Sequence, residues 1–67
     1  MNNKMLKDKM SERGISIKMV IEGLNINEST FYRKLSNEKK SFSVEEAQIL
    51  TRLLSLSNAE ATEIFLK

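Results

Sequence analysis

Residues 16–35, SIKMVIEGLNINESTFYRKL, decide the fold. Ser16 offers a hydroxyl cap to a helix over about Ile17–Gly23, which buries Val20 and Leu24, four residues apart on one face. Asn25 tolerates the left-handed backbone that a tight turn demands. Asn27 then caps another helix over about Glu28–Leu35, with Phe31 and Leu35 as its inner pair. A turn this short between two short helices holds their crossing angle. Val20, Leu24 and Ile26 face Phe31 and Leu35 across it. Asn27, Glu28, Ser29, Tyr32, Arg33 and Ser36 are left pointing outward.

Upstream, the spacing predicts a helix over about Asn3–Arg13, with Leu6 and Met10 on one face, Met5 beside them, and Gly14 as the stop. Downstream, the segment from Ser36 to Ser41 reads as a solvated loop. Two strong start signals follow. Ser43 and Glu46 form an S-x-x-E capping box, with Phe42 and Ala47 as its hydrophobic staple. The helix it opens carries Ala47, Leu50, Leu53 and Leu54 inward. Ser57 and Glu60 repeat the box, with Leu56 and Ala61 as staple, and open a helix through Ile64, Phe65 and Leu66. The expectation is an all-α fold of five helices forming a single domain over residues 1–67.

Composition narrows the function. A chain of 67 residues holds one modest core but not a core plus a catalytic cleft. It contains no cysteine and no histidine, which removes disulfides, thiol nucleophiles, imidazole bases and the common zinc sites. Gly14 and Gly23 are its only glycines, too few for a phosphate-cradling loop, and no D-x-D-x-D-G calcium pattern occurs. An enzyme is not expected, nor a metal, a cofactor or a small-molecule substrate. Apolar runs are too short to cross a bilayer. Lys4, Lys7 and Lys9 are followed by no apolar stretch or cleavage site, so a secretory leader is not expected and the setting reads as cytoplasmic. The charge is unevenly placed: residues 1–40 hold nine Lys and Arg against five Asp and Glu, and residues 41–67 hold two against four. The basic part contains the paired short helices, as a face meeting phosphate requires.

The outward residues have matching chemistry. A major groove about 12 Å wide admits one helix, provided its outer face is polar and its inner face is anchored. Arg33 can donate two parallel hydrogen bonds to guanine, and the Asn27 amide can pair with adenine. Glu28 repels phosphate but accepts from cytosine. Ser29 and Thr30 can bond base edges or phosphates, and Tyr32 can lie along the groove wall. Lys18, Thr30, Lys34, Ser36, Lys39 and Lys40 fit contacts to the DNA backbone. Taken singly, each is also what any solvated helix face or loop carries; the joint pattern makes the case.

Here the chain resembles the lambda-repressor-like (XRE-type) helix-turn-helix domains of phage repressors and Cro-type regulators. The matching residues are Gly14-Ile15-Ser16, Leu24-Asn25-Ile26-Asn27 across the turn, and Ser29-Thr30-Phe31-Tyr32-Arg33-Lys34-Leu35; the likeness extends over Leu6–Leu66. It is especially similar to short phage and prophage regulators with an S-T-F-Y-R-K-L helix. The resemblance implies a compact five-helix domain, often dimeric, that binds operator DNA with Asn27, Glu28, Ser29, Tyr32 and Arg33 at groove-facing positions. The chain departs from the pattern at four places. Ile17 stands for a glutamine, Ile21 for a small alanine, Asn25 for the turn glycine, and Lys34 for an apolar residue.

The resulting expectation is a sequence-specific regulator of repressor or Cro type, with a recognition helix at about 28–35. Palindromic sites pair with two-fold dimers whose recognition helices lie about 34 Å apart, so a homodimer on double-stranded operator DNA is expected, with Ile64, Phe65 and Leu66 as its candidate interface. The rival is a protein-interaction module on the same fold, antitoxin-like or an adaptor. It draws on Ile15, Ile17, Met19 and Ile21, which are more apolar side chains than one helix face buries. Exposure of Ile17 and Met19 beside a weakly positive recognition face would favour the rival; their burial, with a continuous positive surface over the helix at about 28–35, would favour DNA.

Overall fold

The computed structural model describes residues 1–36 and 42–66. Its helices are α1 (Asn3–Glu12), α2 (Ile17–Leu24), α3 (Glu28–Ser36), α4 (Val44–Leu53) and α5 (Asn58–Phe65), with no strand among the described residues. The expected loop at 37–41, with Lys39 and Lys40, lies outside the described residues.

Local chemistry accounts for nearly every boundary. Asn2 accepts from the Met5 amide at 3.1 Å to start α1, and Ser16 accepts from that of Met19 at 3.2 Å to start α2. Gly14 ends α1 at φ +66°, where a side chain would be strained. Asn25 closes α2 in the left-handed region (φ 57°, ψ 45°), letting the Ile26 amide reach back to the Ile21 carbonyl at 3.1 Å. Both capping boxes form: Ser43 with Glu46, and Ser57 with Glu60, each bond between 2.9 and 3.1 Å. After α4, Ser55 takes φ 52° and the Leu56 amide returns to Thr51. A serine therefore occupies a left-handed position that more often falls to glycine.

Every helix feeds one core of Leu6, Met10, Val20, Leu24, Phe31, Leu35, Leu50, Leu54, Leu56 and Ile64. Ala47 and Leu53, also expected inward, are half-buried. α2 packs on both α3 and α4, while α5 packs on α1 and α4. Polar links close the frame. The Asn2 amide donates to the Ile64 carbonyl at 2.7 Å, and the Asn3 side chain donates to the Leu35 carbonyl at 3.0 Å. Lys9 pairs with Glu60 at 2.7 Å.

The expected dimer surface needs one correction. Ile64 is fully buried in the core of this chain and has nothing left to offer a partner. Phe65 is half-buried and Leu66 is 79% exposed. Ile64 and Phe65 point about 100° apart on α5 and Leu66 follows its end, so the three do not share one face.

Candidate nucleic-acid interface

α3 separates its residues cleanly. Phe31 and Leu35 are buried, while Glu28, Ser29, Tyr32, Arg33 and Ser36 are exposed. Those five positions are spaced i, i+1, i+4, i+5 and i+8, which on a helix is one continuous stripe flanking the buried pair. Tyr32 stands with its ring edge-on to Phe31, centroids 5.6 Å apart. The buried ring thus sets the orientation of the exposed one. Arg33 makes only a long 3.4 Å contact to the Thr30 hydroxyl and has no carboxylate partner among the described residues.

Some expected contacts have other duties. The Asn27 amide oxygen accepts from the Thr30 backbone at 2.8 Å, capping α3. Two-point pairing with adenine needs that oxygen as well as the amide nitrogen, so it would use the second lone pair of an oxygen already engaged in the cap. The Ser36 hydroxyl donates back to the Tyr32 and Arg33 carbonyls at 3.0 and 3.3 Å. Lys34 differs most from expectation. Its ammonium lies 2.8 Å from Glu46 Oε1, in a pair whose side chains are 26% and 15% exposed. It is half-buried and paired within the molecule, so a phosphate contact would compete with Glu46 for it. Burial works to raise the Glu46 carboxyl, but the Lys34 ammonium and the Ser43 amide outweigh it and hold the group below its ordinary range.

Ion pairing also sorts the remaining cations. Lys4 is paired with Asp8, and Lys9 and Arg13 with Glu12 and Glu60. Among the described residues Lys7, Lys18, Arg33 and Arg52 have no ion pair. Lys18 is exposed on the first turn of α2. Lys7 lines a groove of about 460 Å³ together with Ser11, Ser16, Ile17 and Tyr32, so α1 brings an unneutralised ammonium beside the α3 stripe. Sequence reasoning passed over Lys7. The only signal was its place on α1, about 100° round from Leu6, and that does not reveal which neighbour lies alongside.

The apolar excess near α2 is largely absorbed. Ile15, Ile17 and Ile21 are half-buried against the core, and only Met19, at 43%, is exposed.

The family of the Cro/C1-type HTH (helix-turn-helix) DNA-binding domain matches residues 5–64, a span that includes the paired helices and the polar stripe. This chain is a member of that family. Among characterised proteins and solved structures, none matches it significantly. As a Cro/C1-type domain it is a DNA-binding regulator and not an enzyme. Among its described residues no cluster of metal-ligating side chains occurs, and no helix is long and apolar enough to cross a membrane.

Proposed function

We propose that this Cro/C1-type chain is a single-domain, sequence-specific regulator of phage or prophage type, acting in the cytoplasm, that lays α3 in the major groove of an operator. The observation carrying this reading is the unbroken polar stripe Glu28, Ser29, Tyr32, Arg33 and Ser36 on a helix anchored from behind by Phe31 and Leu35. Arg33 and Ser29 read base edges, Glu28 discriminates by accepting from cytosine, and Tyr32 packs on the groove wall. Asn27 contributes its amide group, with the oxygen shared with the cap of α3. Lys18, Thr30 and Ser36 follow the backbone, joined by Lys7 and by Lys39 and Lys40. Half-burial of Ile17 weighs against the adaptor reading, whereas Met19, 43% exposed, is the feature that favours it.

Dimerisation on DNA follows from size and surface. The molecule measures 28 × 26 × 20 Å, less than the roughly 34 Å between successive turns of one groove. One copy therefore reads one half-site. Val44 and Leu66 are 76% and 79% exposed. They border an uncharged trough of about 320 Å³ between α4 and α5 that also contains Ala47, Ala61 and Phe65. Such a face opposes its own copy without like-charge repulsion, which suits a two-fold contact.

Selection of bound duplexes from a random pool tests the reading. An enriched palindrome with half-sites about 10 base pairs apart is expected. Absence of enrichment, together with no duplex binding at low salt, would sink it.

A further inference from the structure

α3 packs on α2, and Phe31 and Leu35 share one buried cluster with Val20 and Leu24; such apolar packing holds a helix close without fixing its roll, because burial is non-directional. Directional links fasten its second half. The Asn3 side chain donates to the Leu35 carbonyl at 3.0 Å, and Lys34 donates to Glu46 at 2.8 Å. The far end of the second link is itself fixed. Glu46 Oε1 also accepts from the Ser43 amide at 2.9 Å, in the box that starts α4. One carboxylate oxygen thus opens α4 and holds α3. A partly buried pair of this kind gains little net stability after desolvation, so its main effect is on geometry.

We propose that Lys34 and Glu46 are positioning residues for DNA recognition: their ion pair sets the angle at which α3 presents the stripe from Glu28 to Ser36. The proposal rests on the DNA reading above. It assigns Lys34 a role in discrimination rather than in phosphate binding. A misplaced reading helix loses directional bonds to bases, whereas non-specific attraction to phosphate survives.

Glu46→Gln separates the two duties of Glu46, because glutamine still accepts from the Ser43 amide and completes the box but carries no charge for Lys34. Binding to the selected operator should weaken about fivefold, within the range of coupling between contacting residues. Affinity for unrelated duplex and the salt dependence should stay unchanged. Backbone amide signals of residues 29–36 should shift in the free protein. Lys34→Met, which keeps the stem and removes the charge, should act alike, and the double variant should be no worse than either single one.

If Glu46→Gln instead tightens binding to every duplex and steepens the salt slope by about 0.9, Lys34 is a phosphate contact that Glu46 withholds, and positioning is overturned. Unchanged discrimination with unmoved α3 amides overturns it as well. Should the wild-type chain select no duplex at all, the DNA reading fails separately. The α3 amides of the free variants then decide whether the pair sets the helix.

Discussion

Lys9 and Glu60 lie 2.7 Å apart and tie α1 to α5, while the other oxygen of Glu60 accepts from the Ser57 amide at 2.9 Å. The Lys9 hydrogen bond, then the Ser57 amide, hold the Glu60 carboxyl down at about 2. Lys9 is correspondingly held above its ordinary value, first by Glu60 and then by Glu12.

Stability therefore falls on the acid side. A carboxylate with a lowered folded-state pKa contributes fully above its unfolded value near 4.5 and loses that contribution as pH drops toward 2. Glu46 adds to the same limb, its carboxyl being lowered too. Glu60→Gln keeps the cap but removes the ion pair. Its urea midpoint should lie below wild type at pH 7, and the difference should shrink steadily below pH 4.5. A constant difference across that range would exclude the pair as its source.

Ser55 sits at φ 52° with an exposed side chain. Relief of left-handed strain outweighs the entropy cost of glycine there, so Ser55→Gly should stabilise by about 0.5–1 kcal/mol, read from urea midpoints. Asn25→Gly should gain less, because asparagine tolerates that conformation.

Contacts to bases and to phosphate should separate in binding assays. Arg33→Ala should weaken operator binding by about 1–3 kcal/mol and relax the preference at one base position. Lys18→Ala should weaken all duplexes alike and lower the salt slope by about 0.9. Titration of operator and scrambled duplex at several salt concentrations separates the two.

The exposed α4–α5 trough predicts an assembly defect without a folding defect. Leu66→Glu should leave monomer stability within about 0.5 kcal/mol while abolishing the dimer on operator DNA in sedimentation. A dimer that persists in this variant would place the interface elsewhere.

The sequence made the helix ends legible because caps are local. Ser16, Ser43 and Ser57 each sit three residues before the amide they serve, and Gly14 and Asn25 mark left-handed stops by residue type alone. The inner pairs Val20–Leu24 and Phe31–Leu35 were equally plain from four-residue spacing. Long-range partners were not. Nothing near Lys34 in the sequence reveals that its ammonium meets a carboxylate twelve residues on. Three apolar residues in a row at 64–66 left the phase of α5 open, and only packing singled out Ile64 for the core. Asn27 was legible as a cap and as an adenine reader; the structure commits its oxygen to the cap.

In both C-terminal helices the glutamate that closes the capping box also grips a lysine from an earlier helix, Glu46 with Lys34 and Glu60 with Lys9. Helix initiation and tertiary closure therefore share the same two carboxylates, through one oxygen in Glu46 and through both in Glu60. The capping boxes are local, but the lysine links form only once α3 and α1 have arrived, so partly assembled forms lack two tertiary links together. The chain should accordingly unfold as one cooperative unit. Circular dichroism of the helices and the Tyr32 fluorescence that reports on α3 should then give superimposable transitions.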